Sequence, residues 1–242
     1  MKIIALIFCV FCFYGCTDDQ LEHGRDAEKY CADLYVAIHL DKVDEAQLAV
    51  SKLEKILTSV RKTWIKPSKE DEIDDIYFRI ERAQEAFEEV QAALDAGKLP
   101  LAALQLDRAI YELSASDLES FRVLYLGSIY SFLSSWYSYY EVIEAVDFCG
   151  YEQGELERYS MFILKEWEAC TTKEPSELVY QWNKTKKESL DDAQKKIEFQ
   201  LHLLDDVLVV KEDSIIREEA RQANKLIMEL VKLFGTEPDV IH

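Results

Sequence analysis

From Asp26 onward, apolar side chains recur at the three- and four-residue steps that place them on one side of an α-helix, with polar residues between them. Tyr30, Leu34 and Ile38 lie one turn apart in a first segment, and LDKVD breaks it. Leu48, Leu53, Ile56, Leu57 and Val60 share a face of a second, which Lys66-Pro67-Ser68 ends. The acid cluster Glu70–Asp75 suits a helix N-terminus through the macrodipole, and it opens a third segment carrying Ile76, Ile80, Ala83, Phe87 and Val90 as far as Gly97. A fourth runs from Leu99 to Leu113 with Pro100 in its first turn. Ser116 and Glu119 form a capping box for a fifth that reaches Asp147. A sixth spans Glu155 to Cys170, a long seventh starts near Pro175, and an eighth covers Ser214 to Phe234 before Gly235. The pattern predicts an all-α chain of about eight antiparallel helices in hairpins, arranged as a helical bundle or short solenoid. N-terminal hairpins are expected over 27–113, and a C-terminal bundle over 114–242 packed with them as one unit.

Composition supports this reading. Seven Gly and four Pro in 242 residues are too few for the frequent tight turns of a sandwich, a barrel or a glycine-looped nucleotide fold. With 49% hydrophobic and 31% charged residues, the chain can bury a core beneath a solvated surface. The net charge of −19 opposes DNA and RNA, whose binding draws on released phosphate counterions.

The start of the chain differs in kind. One Lys is followed by twelve apolar residues, Ile3 to Tyr14, then by Gly15 and Cys16. Such a run is too short to span a bilayer of about 30 Å, and it suits the central region of a cleaved export signal. A small residue directly before a Cys at the end of this run resembles the lipobox of bacterial lipoproteins, although Phe13 and Tyr14 depart from that pattern. The resemblance implies a signal peptide over 1–15, a diacylglyceryl and fatty acyl (palmitate-type) modification at Cys16, and attachment to the membrane through it. Thr17 in place of Asp implies the outer rather than the inner membrane. Residues 16–26 then form a polar tether, and the mature chain carries −20, so acyl chains rather than lysines would hold it to lipid.

There is also an internal echo. AIHLDKVDEAQLAVSKLEKIL (Ala37 to Leu57) aligns without gaps onto ALDAGKLPLAALQLDRAIYEL (Ala93 to Leu113), 56 residues on. Gly97, Leu99, Ala102 and Ala109 of the second copy resemble part of a tetratricopeptide repeat, in which small residues let paired helices approach closely. Asp41 and Leu53 stand where Gly and the second Ala belong in the first copy. The resemblance implies helical-hairpin geometry of tetratricopeptide type.

The stretch from Val123 to Tyr140 contains no charged residue. Its five Ser and five Tyr, between acidic flanks, fit a buried central helix better than a membrane span. Gly127, Ser131, Ser135 and Ser138 make a narrow small-residue stripe that can seat another helix. Alternatively, Tyr125, Tyr130, Ser131, Ser135, Trp136, Tyr137 and Tyr140 can converge on a groove for a partner or a small-molecule ligand.

After removal of the signal three thiols besides Cys16 remain, and Cys149 with Cys170 is the candidate disulfide, since the two flank one helix. Buried free thiols are the alternative. No zinc, calcium, phosphate-loop or nucleophile-elbow motif is present in the sequence, so no metal, cofactor or catalytic residue is expected. The expectation is a binding or scaffolding module at the bacterial cell envelope with a protein partner. The alternative is a ligand-binding lipoprotein serving transport, with its pocket at the fifth helix.

Overall fold

The computed structural model describes residues 22–64, 74–115, 124–145, 153–209 and 212–236. These are helical and contain no strand. In chain order the described helices are α1 (22–39), α2 (Val43–Trp64), α3 (Asp74–Asp95), α4 (Leu99–Ser114), α5 (Tyr125–Glu144), α6 (Gln153–Thr171), the single turn α7 (Glu177–Tyr180), α8 (Lys184–Leu208) and α9 (Asp213–Lys232). The protein is all-α. The expected signal, Cys16, residues 16–21 of the expected tether, Cys149 and the Ser116–Glu119 capping box lie outside the described residues, whereas 22–26, expected as the end of the tether, are the first residues of α1. No described helix is long and apolar enough to cross a membrane.

The chain divides into two compact units. One comprises residues up to Gly127 together with Leu178–Tyr180 and the chain from Gly235; the other comprises Ser128–Glu177 and Gln181–Phe234. The division falls within α5, one turn from its start.

In the first unit the 56-residue echo is a repeated structure. The α1–α2 turn is closed by Asp41 N–H to Ile38 C=O at 3.3 Å and Lys42 N–H to Ala37 C=O at 2.9 Å. Gly97 N–H to Leu94 C=O at 3.0 Å and Lys98 N–H to Ala93 C=O at 2.8 Å close the α3–α4 turn in the same way. Both are Schellman endings, with the left-handed residue supplied by Asp41 (φ 58°) and Gly97 (φ 65°). Each next helix then opens on the turn lysine, whose carbonyl accepts from Ala46 N–H or Ala102 N–H, both at 3.0 Å.

Burial follows the same offset beyond the turns. Ala27 and Ala83, Cys31 and Phe87, Leu34 and Val90, Val50 and Leu106, Leu53 and Ala109, and Leu57 and Leu113 are all core pairs. Within this unit, residues 22–64 and 74–115 are therefore two copies of one hairpin, α1–α2 and α3–α4. α2 packs on α3 and α3 on α4. Between α3 and α4, the buried carboxylate of Glu112 is held by Arg79 at 3.2 Å and Arg82 at 3.1 Å.

The second unit is built around the larger part of α5, with α8 packed on α9 and on α6. Phe132 meets Trp167 of α6 at 4.9 Å between ring centroids, and Tyr139 meets Tyr159 at 5.1 Å. The Trp136 indole N–H donates to Asn224 Oδ1 on α9 at 3.0 Å. Arg217 donates to the Glu144 and Ala145 carbonyls, at 3.3 and 2.8 Å, and Arg221 clasps the Glu144 carboxylate with two bonds of 2.9 Å. These cations satisfy the carbonyls and the negative dipole end at the C-terminus of α5.

The long helix expected from Pro175 is interrupted. α7 ends at Gln181, which is left-handed (φ 48°), and α8 begins after Asn183, whose side chain accepts from Lys186 N–H at 2.9 Å. Asn183 is an N-cap of the ordinary kind, and it was legible in the sequence.

Candidate functional site

Of the seven residues singled out on the fifth helix, two are core and five reach the surface. Trp136 is wholly buried and Tyr125 nearly so; they are core residues, one in each unit, and leave the proposed surface. Tyr130, Ser135, Tyr137 and Tyr140 are half-buried. Ser131 is exposed, and its hydroxyl bonds the Glu166 carboxylate of α6. Ser138 bonds back to the Ser134 carbonyl at 3.1 Å, the local bonding that serine makes inside helices. Gly127 has a packing reason: a Cβ there would stand 2.8 Å from the Ser114 hydroxyl at the end of α4. Cys170 is buried with a free thiol that burial pushes up to about 11.

At the head of α5 the first unit holds a buried polar cluster that sequence reading missed. Glu28 Oε1 accepts from Leu126 N–H at 2.8 Å. Its other oxygen accepts from the Tyr180 hydroxyl, and that hydroxyl accepts from Tyr125 N–H at 2.7 Å. Glu28 and Tyr180, from distant parts of the chain, thus satisfy two N–H groups that the first turn of a helix leaves open. Burial drives the Glu28 carboxyl up to about 7, against the opposing pull of these hydrogen bonds. Cys31 lies beside it, and its thiol is raised by burial and then by the Glu28 charge, both of which disfavour the thiolate.

Glu28, Cys31, Leu113, Ser114 and Gly127 border a cavity of about 30 Å³. That is room for water and far below the several hundred Å³ of an organic-ligand pocket. The cluster caps the first turn of α5. Among the described residues, no three His, Cys, Asp or Glu side chains are placed to hold a metal ion.

The other unusual feature is the outer face of α4. Its inner face buries Ala102, Leu106, Ala109 and Leu113. On the opposite side Leu101, Leu104, Arg108 and Tyr111 fall within an arc of about 80° at 100° per residue, and Leu104 is 62% and Tyr111 52% exposed. Arg108 lies between two exposed carboxylates of α3, 3.7 Å from Glu85 and 3.5 Å from Glu89. In the other hairpin, Leu48 occupies the position of Leu104 and is 63% exposed, but its neighbours on that face are Glu45, Lys52 and Lys55. The signal for this face lay in the sequence: LPLAALQLDRAIYELS is apolar on two sides of one short helix.

No protein-family model, curated protein or solved structure matches this chain.

Proposed function

We propose that this protein is a lipid-anchored helical binding module of the bacterial cell envelope, held to the outer membrane by acylated Cys16 and engaging a protein partner. The observation that carries the reading is the outer face of α4, where Leu101, Leu104 and Tyr111 are exposed opposite the buried face. A single exposed leucine is ordinary on a soluble protein, whereas an aligned stripe on one helix marks an interaction surface. The apolar run ending in Gly15-Cys16 supports export and acylation. Anchoring fits the charge as well, because a −20 chain has no electrostatic affinity for anionic lipid.

Two measurements in producing cells test this. A photo-crosslinking residue at position 104 should yield a discrete adduct with another protein, and one at the exposed polar position 52 of α2 should not. Cys16→Ser should move the protein out of the membrane fraction. Equal labelling at 104 and 52 removes the binding face, and unchanged fractionation removes the lipid anchor.

A further inference from the structure

We infer that the α4 face docks a basic amphipathic helix of the partner; this rests on the binding-module reading above and gives the partner its chemistry. The stripe from Leu101 to Tyr111 runs along the helix axis for about 15 Å at 1.5 Å per residue. A straight stripe of that length, apolar but for Arg108, matches the apolar side of three turns of a second helix, with side chains meeting at three- and four-residue steps.

Charge decides between the possible occupants. Glu85 and Glu89 flank the stripe with only Arg108 between them, so one guanidinium faces two carboxylates. Over residues 74–115 nine acids stand against four basic residues, a net −5, whereas residues 22–64 carry only −1. Lysines or arginines bordering the partner's apolar stripe meet the carboxylate in excess, which fixes orientation and speeds encounter. A second copy of this chain would bring the same carboxylates and a net −19 to the contact. An anionic lipid surface would be repelled in the same way. At the corresponding place in the first hairpin Lys29 and Asp33 stand where Glu85 and Glu89 do, and Glu45, Lys52 and Lys55 border Leu48, so three cations meet two carboxylates and no basic helix is favoured there.

The probe is a 20-residue peptide of Leu, Ala and Lys with leucines on one helical face and lysines beside them, immobilised on a biosensor. The purified full chain is passed over it in neutral detergent, with empty micelles subtracted. Binding is expected in the micromolar range, weaker with added salt. Leu104→Ser should weaken it at least tenfold, and Leu48→Ser should leave it within twofold. The same peptide with every Lys replaced by Glu should not bind.

Equal binding of the Glu peptide, or binding indifferent to Leu104→Ser, overturns the inference. So does self-association of the full chain that Leu104→Ser abolishes, or capture by neutral phosphatidylcholine vesicles that the same substitution abolishes. A protein adduct at position 104 in cells, without peptide binding, leaves the binding-module reading standing and rejects the basic helix.

Discussion

The two hairpins of the first unit share a frame and differ on the outside. Their turns close with the same hydrogen bonds at the same offset, and their inward positions are buried pair by pair. Yet α2 presents Glu45, Lys52 and Lys55 around its exposed leucine, and α4 presents Leu101, Arg108 and Tyr111 around its own. Burial constrains the inward positions, because a lost methylene there is felt directly in stability. Outward positions carry no such constraint and are open to a second purpose. The binding face proposed above lies on what diverges while the frame is held.

The largest expected effect tests the shared frame. Leu53 and Ala109 are equivalent and both fully buried. Leu53→Ala should cost about 3–5 kcal/mol in urea unfolding, and Ala109→Leu about 1–3 kcal/mol through overpacking. A neutral Leu53→Ala would mean that α2 is not packed as α4 is.

Next comes Glu28, whose counterpart in the second hairpin is Gln84. The folded state holds a proton on Glu28 up to about pH 7, and the unfolded chain releases it near 4.5. The stability contributed by Glu28 is therefore complete below pH 4.5 and is lost as pH rises through 7. Glu28→Gln has no proton to lose, so it should match the wild type at pH 4.5 and exceed it by about 3 kcal/mol at most by pH 8. The difference between the two proteins is the readout, because His39, lowered to about 4 by burial, acts in the opposite sense. The same difference at both pH values would contradict the buried-carboxyl account.

The turns should exchange sign. Asp41→Gly relieves a left-handed residue and should stabilise by about 0.5–1 kcal/mol, and Gly97→Asp should destabilise by a similar amount. Effects of the same sign would separate the two turns. The smallest effect is expected at Gly127→Ala, where about 1 kcal/mol of gained helix propensity is set against displacement of the Ser114 hydroxyl, leaving less than about 0.5 kcal/mol. Gly127→Ala with Ser114→Ala should recover the full gain; equal stability in both proteins would mean that Ser114 does not crowd Gly127.

Local features were legible in the chain. The helices follow from apolar spacing, and the echo follows from Lys42 and Lys98, Val43 and Leu99, and Ala46 and Ala102, which act within a few residues of one another. The break after α7 could have been read from Asn183. Glu28 could not be read, since its partners at Tyr180 and Leu126 are 152 and 98 residues away, and an isolated glutamate in an amphipathic segment looks solvated. The aromatic run of α5 has the bulk and hydroxyl tips of a groove lining, yet Trp136 and Tyr139 are core. The α4 face was legible in principle, as leucines on the wrong side of a helix with a complete inner face.

The central claim is that binding follows the outer face and not the frame. It is tested most directly by giving α4 the outer residues of α2, Leu101→Glu with Tyr111→Lys, in a chain carrying the photo-crosslinker at position 104. The account predicts an unchanged thermal midpoint with loss of the adduct. An adduct that persists undiminished in this folded variant would contradict it.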